Sequence, residues 1–313
     1  MSEGRRIVYA GTPEFARVVL EGLVQRGENL VGIMTQPDRP AGRGRKLQAS
    51  PVKERAQQLA LPILQPESCR DPQTLGWLQD LHPDLLIVVA FGQLLPQSIL
   101  DTPRLGAINV HASLLPAWRG AAPIVRALAA GDTETGISIM QMEAGLDSGP
   151  VLWTRKIPIL PDDTGQSLHD RLAILGAAAL GEALERLWQG KIEAIPQDHS
   201  RATYAKKLRK EEARLSWQED ANTIARKIRA FVPYPVAHAQ FRGQGLRIWA
   251  AQGLAHSAAL VPGQVQELSA QGPIIACGQG CLLLTEVQPA GKGRISGTEF
   301  LHGYRLEVGE VLT

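Results

Sequence analysis

The N-terminal half alternates short apolar runs with segments of helical period: RRIVYAG, PEFARVVLEGLVQRG, LVGIMTQ, and later DLLIVVA and GAINVHA. Strand, helix and strand in succession predict an α/β domain, a Rossmann-like and mostly parallel sheet with helices on both faces. DLLIVVA and GAINVHA are nearly continuous apolar stretches, as expected of strands buried on both sides. In PEFARVVLEG, Pro13 is expected at the first helical position with Thr12 as its cap, leaving backbone N–H groups free at the helix start. The Ala/Leu-rich stretch 165–190 predicts a helix closing this domain, and the polar KIEAIPQDHSRATYAKKLRKEEARLSW places a linker after it. Beyond that, a helix over 220–231 precedes VAHAQFRG, GLRIWAAQ, GQVQEL, GPIIACG and CLLLTEVQ. Short strands at this spacing predict a small OB-like β-barrel. Ser296 with Glu299 is a capping-box start for a last short helix. The expected division is an α/β domain over 1–190, a linker over 191–208 and the smaller barrel over 209–313.

Composition narrows the class. The 313 residues are 44% hydrophobic and 20% charged, ordinary for a soluble globular chain and unlike a disordered one. Neither the apolar core of a signal peptide nor a membrane-length apolar run is seen, so the expectation is a cytoplasmic protein without membrane partners. Three cysteines, Cys69, Cys277 and Cys281, are too few and too odd for a disulfide framework. Cys277 and Cys281 read as strand residues flanking a tight turn, and with no HxH or HExxH spacing no bound metal is expected. Net charge is +2 overall, but residues 191–313 hold 15 Lys and Arg against 11 Asp and Glu, and residues 37–55 hold six basic residues against two acidic.

Candidate chemistry gathers where strands end, because ligands of open α/β sheets bind beyond the carboxyl ends of the strands. Asn109 and His111 lie two apart on a strand, so their side chains share a face. An amide donor beside an imidazole, which titrates near neutrality, suits stabilisation of an acyl oxyanion; the plainer alternative is a turn residue and a satisfied strand-end histidine. Ser113, Leu114, Leu115 and Pro116 lead into Arg119 and Gly120 just after this strand, where a ligand loop belongs. GISIMQMEAGLDSGPVL reads as two strands joined by a loop carrying Glu143 and Asp147, which could return an acid to the same rim or serve only as an Asx turn. GTPEFA lacks GxGxxG, which argues against a dinucleotide cofactor, and the absence of GxSxG argues against a serine nucleophile.

Gly42 and Gly44 interleave with Arg39, Arg43, Arg45 and Lys46 in a flexible strip suited to phosphates or to stacking on an unpaired base. Lys206, Lys207, Arg209 and Lys210 could track a nucleic-acid backbone. For both groups a solvated surface is the alternative.

NVHASLLPAWRGAAPI, MEAGLDSGPVL, IVYAGTPEFA and PDRPAGRGRKL together resemble the folate-dependent formyltransferases, from Ile7 past ATYAKKLRKEEARLSW. The basic loop and the C-terminal domain narrow the likeness to members that act on methionyl-tRNA. The resemblance implies formyl transfer from 10-formyltetrahydrofolate, with no metal, to the free α-amine of initiator methionyl-tRNA, giving the N-formylmethionyl tRNA of translation initiation. It implies Asn109, His111 and Asp147 as the catalytic trio acting through a tetrahedral intermediate. Ser113, Leu114, Leu115 and Pro116, with the backbone at Phe91 and Gly92, would contact the folate. Arg43, Arg45, Lys46, Lys206 and Lys207 would contact tRNA, and the chain would act as a monomer. Three rivals remain at this point: a formyltransferase for a small amine, an RNA-binding module on a degenerate enzyme fold, and a hydrolase releasing formate.

Overall fold

The computed structural model describes residues 4–41, 46–255, 259 and 261–313. The chain forms two compact units, one of residues 1–120, 135–157 and 169–204, the other of 121–134, 158–168 and 205–313.

In the first unit, β1 (Ile7–Gly11) is fully buried and leads into α1 (Glu14–Gln25), which buries Phe15, Ala16, Val19, Leu20 and Leu23 on one face. β2 (Leu30–Met34) follows. β3 (Arg39–Ala41) pairs antiparallel with β4 (Lys46–Gln48), so the two ends of the basic strip are strands, and the rest of the strip expected to be flexible lies outside the described residues. Then come α2 (Pro51–Gln58), β5 (Ile63–Leu64), α3 (Pro72–Asp80), β6 (Leu85–Val89), α4 (Gln97–Leu100), β7 (Ala107–His111) and β8 (Arg119–Gly120). α5 (Pro123–Ala130) belongs to the second unit, and β9 (Glu134–Gln141), β10 (Val151–Pro158) and α6 (Gly165–Trp188) complete the N-terminal half. The sheet order is β10-β9-β7-β6-β1-β2-β5. The pairs β5–β2, β2–β1, β1–β6 and β6–β7 are parallel, and β7–β9 is antiparallel. The mostly parallel α/β sheet expected from the apolar runs is therefore present, and β6 is buried at every position.

The start of α1 differs from expectation. Pro13 occupies the cap position with no side-chain cap bond, and the Thr12 hydroxyl instead donates to the Phe91 carbonyl at 2.9 Å while accepting from Gln36 N at 3.4 Å. The β6 and β2 chain ends, buried and rigid, supply better partners than a helix end that water can satisfy. Gly11 permits this junction, since a Cβ there would lie 2.7 Å from the Ala16 Cβ and 3.0 Å from the Val89 carbonyl oxygen. At the opposite end of the sheet, the Asp84 carboxylate accepts from Arg6 N and from Arg104 Nε, both at 2.8 Å.

In the second unit, after β11 (Tyr204–Ala205), Asp220 caps α7 (Ala221–Ala230) by accepting from Asn222 N and Thr223 N. The barrel strands are β12 (His238–Phe241), β13 (Gln244–Leu254), β14 (Val265–Ser269), β15 (Gly272–Ala276) and β16 (Cys281–Pro289), ordered β12-β13-β16-β15-β14, with β17 (Ile295–Ser296) on β16. Register shifts in β13 at residues 248–251 bend the strand. The two edges meet through the last five residues: Thr313 exchanges both backbone bonds with Gln240, Leu312 N donates to Gly263 O, and Val265 N donates to Glu310 O. This closes the OB-like barrel. Ser296 and Glu299 form the expected capping box at the start of α8 (Gly297–Gly303).

Two outcomes follow from these environments. The Arg6 backbone N–H, then the Arg104 guanidinium, hold the Asp84 carboxyl below the usual carboxylate range. A depressed folded value stabilises above the unfolded value near 4 and is lost as pH falls through it. Asp84→Ala should therefore lower the denaturation midpoint at pH 7, and the difference from the parent should disappear as pH drops below the carboxylate range. Burial raises the Cys69 thiol to about 11 and Cys277 to about 12. At pH 8 the thiolate of Cys69 is about one part in a thousand, so iodoacetamide should label these positions only after unfolding, as read by mass spectrometry.

Candidate active site

β7 lies between β6 and β9, with Asn109 opposite Val88 and Met140, and His111 opposite Ser138. Its residues two apart share a face, so Asn109, half-buried, and His111, 5% exposed, project together near the strand end. The connection between β9 and β10 returns Asp147 to them. Asn109 Nδ2 donates to Asp147 Oδ1 at 3.5 Å, His111 Nδ1 lies 3.7 Å from Asp147 Oδ2, and Gly120 N donates to the same Oδ2 at 2.7 Å. Asp147 takes a left-handed backbone, φ 47°, consistent with the turn its Gly-rich surroundings predict. Glu143 on the same connection is exposed and does not join this group.

The imidazole has one committed nitrogen. His111 Nε2 donates to the Trp118 carbonyl at 3.0 Å; a carbonyl only accepts, so Nε2 carries a hydrogen. Nδ1, facing the carboxylate, is the nitrogen left for chemistry.

Residues 113–116 divide in role. Ser113 is completely buried; its hydroxyl donates to the Ala117 carbonyl at 2.6 Å and its own carbonyl accepts from the Ser138 hydroxyl. Ser138 also accepts from Leu115 N at 3.1 Å. The Ser113 hydroxyl is thus spent within the loop itself, because at this depth an unpaired hydroxyl is costly. Leu114, Leu115 and Pro116 are half-buried, with a cis bond between Leu115 and Pro116, and Leu114 packs where a Cβ on Gly136 would lie. Phe91 is similar to Ser113: its ring is 2% exposed within the core formed with Val8, Ala10, Met34 and Val88. Its carbonyl accepts from Thr12 and, at 3.3 Å, from Gln36 Nε2, and Gly92 follows in a positive-φ turn.

Sequence reasoning missed the residues packed behind Asp147. Gln197, from the polar stretch assigned to the linker, donates through Nε2 to Asp147 O at 2.9 Å and Gly149 O at 2.7 Å. Its Oε1 accepts from Arg119 Nε at 3.1 Å and Nη2 at 2.7 Å, and Arg119 Nη2 also donates to His199 Nδ1 at 3.1 Å. Arg119 and Gln197 are 4% and 8% exposed. Trp118 N and Arg119 N bond to the Thr203 hydroxyl and carbonyl. A glutamine in PQDHSRAT carries no periodicity or motif that could have singled it out.

Of the residues expected to meet tRNA, Arg43 and Arg45 lie outside the described residues, as does the side chain of Lys46. Lys206 and Lys207 are exposed at the start of the second unit, and the Lys206 carbonyl accepts from Arg126. Among the described residues, no group of three or more His, Cys, Asp or Glu could hold a metal ion, and no helix is long and apolar enough to cross a membrane.

Comparison with known proteins gives two family matches in order along the chain: the formyl transferase family over residues 5–184, and the formyl transferase C-terminal domain over 207–305. The methionyl-tRNA formyltransferase of Acidithiobacillus ferrooxidans is 58% identical over all of both chains. That of Stutzerimonas stutzeri is 53% identical over 93% of each. Among solved structures, HypX from Aquifex aeolicus, crystallised in complex with tetrahydrofolic acid, shares the fold with a TM-score of 0.64 at 16% identity, covering 99% of this chain and 49% of its own. With both halves matched and the likeness to these enzymes running from end to end, the chain belongs to the formyl transferase family of enzymes.

Proposed function

We propose that this enzyme transfers the formyl group of 10-formyltetrahydrofolate to the free α-amine of initiator methionyl-tRNA, with Asn109, His111 and Asp147 as its catalytic residues. The observation that carries the reading is the Asp147 carboxylate lying against both the Asn109 amide and His111 Nδ1 while fixed by the Gly120 N–H. The identity of full-length relatives named methionyl-tRNA formyltransferase supports the acceptor, and the formyl transferase family together with the folate-bound HypX fold supports the donor.

The amine nitrogen attacks the formyl carbon and places negative charge on the formyl oxygen. Asn109 meets that charge with the N–H it does not direct at Asp147, and His111, protonated on both nitrogens, meets it through Nδ1. Asp147 accepts the proton lost by the attacking amine and passes it, through water, to the folate nitrogen as the carbon–nitrogen bond breaks. The formamide and the free folate amine account for every atom, with no covalent enzyme intermediate. Leu114, Leu115 and Pro116 line the folate side with the backbone at Phe91 and Gly92, while Ser113 and the Phe91 ring hold those segments in shape. On the RNA side, Arg43, Arg45, Lys46, Lys206 and Lys207 neutralise phosphates.

The deciding assay supplies 10-formyltetrahydrofolate with initiator or elongator methionyl-tRNA and identifies the formylated product. Formyl transfer to the initiator amine is expected; formate release alone, or transfer only to small amines, would refute the proposed acceptor. In the same assay Asn109→Ala and His111→Ala should each lower kcat about 10²- to 10³-fold, the usual loss for one oxyanion donor, with folate affinity by fluorescence little changed. Parental turnover in both would refute the trio. Arg43→Ala and Lys207→Ala should raise KM for tRNA and flatten its salt dependence, by a slope of about 0.7 to 0.9 per lost phosphate contact. An unchanged slope in either variant would remove that residue from the interface.

A further inference from the structure

Asp147 cannot hold its own position. It sits on the connection between two strands, flanked by exposed residues 143–146, with a left-handed backbone that only Gly, Asn and Asp adopt readily. A carboxylate on such a segment wanders unless its main chain is tied, and a displacement of about 1 Å in a reacting group can cost about 10²-fold in rate. The ties come from one side chain. Gln197 reaches the carbonyls of Asp147 and Gly149 with its two N–H groups, while its oxygen takes two N–H groups from Arg119.

The polarity of this amide is forced. Both carbonyls only accept and the guanidinium only donates, so turning the amide over would set oxygen against oxygen and N–H against N–H. All of its hydrogen-bonding partners are accounted for by the protein, at a depth where water cannot substitute. Gly149 contributes because a Cβ there would lie 2.1 Å from the Gln141 carbonyl oxygen, so the chain turns back tightly enough for one amide to span both carbonyls. Arg119 is held in turn by its own backbone bond to Thr203 and by its bond to His199. Its neighbours in sequence hold the two reactive groups: the Trp118 carbonyl accepts from His111 Nε2, and the Gly120 N–H donates to Asp147 Oδ2. Residues 197–203 therefore brace the imidazole and the acid against the same short strand.

We propose that Gln197, locked by Arg119, is a positioning residue that sets the Asp147 carboxylate against His111 and Asn109, and that residues 197–203 belong to the active site rather than to an interdomain linker. This rests on the role given to Asp147 above. Because Gln197 bonds the Asp147 and Gly149 carbonyls and not the carboxylate, its effect on turnover passes through where Asp147 sits.

The test is a double-mutant cycle on the full chain with 10-formyltetrahydrofolate and initiator methionyl-tRNA. Gln197→Glu keeps the shape and the Arg119 contact but removes both N–H donors, and Gln197→Met removes all four bonds at similar length, which serves if the glutamate variant does not fold. Thermal midpoints establish that each protein is folded. Either change should lower kcat about 10²-fold with KM for both substrates within about twofold of the parent. In an Asp147→Asn background the same change should cost nothing further, because the group being positioned is already lost. A folded Gln197 variant with parental kcat, or losses that multiply in the double variant while Asp147→Asn alone is slow, overturns the inference and leaves the catalytic trio standing. Parental turnover in Asp147→Asn alone overturns the trio, and the inference with it.

Discussion

A carboxylate has to be kept beside an imidazole and an amide on a strand that is otherwise apolar, and much of the surrounding structure answers to that requirement. β7 brings Asn109 and His111 to one face, but a strand cannot supply the third group at the same level, because its next residue on that face is one pleat farther away. The acid comes instead from the β9–β10 connection, and a backbone N–H from Gly120 meets it directly. Charge-assisted bonds of this kind are short and strong, and they leave the carboxylate its second oxygen for Asn109.

The same requirement explains why buried polar groups cluster here. Ser113, Arg119, Ser138 and Gln197 are all nearly or fully buried, and each is paired within the protein. A network of this sort fixes one arrangement only if every member is satisfied, since a half-satisfied one costs more than an apolar core. Ser138 illustrates the economy: one hydroxyl, opposite His111 on β9, donates to Ser113 O and accepts from Leu115 N, so the loop after β7 is pinned to the strand beside it.

What the sequence disclosed follows from which interactions leave a periodic trace. The buried strands β6 and β7 and the helix α6 are visible because burial on two faces or on one helical face repeats every residue or every three to four. That Asn109, His111 and Asp147 come together was legible because their spacing and Gly-rich setting form a motif. Thr12 was misread because local capping rules ignore a competing partner far along the chain, here the Phe91 carbonyl 79 positions away. Gln197 and the barrel-closing residues 309–313 were invisible for a related reason: both act through long-range bonds from polar or irregular segments, where neither period nor composition marks them. Ser113 and Phe91 were singled out, but not that both would be buried and turned into the protein, since motif spacing carries no record of burial.

Closure of the barrel by residues 309–313 carries a consequence for its edges. Gln240 on β12 and Val265 on β14, at the two edges, both take backbone partners from one segment, through Thr313 and Glu310. Until that segment docks, β12 and β14 present edge N–H and C=O groups, the situation in which strands pair wrongly with other chains. Displacing this one segment would therefore uncover both edges at once, so a single short stretch guards the whole sheet against mispairing.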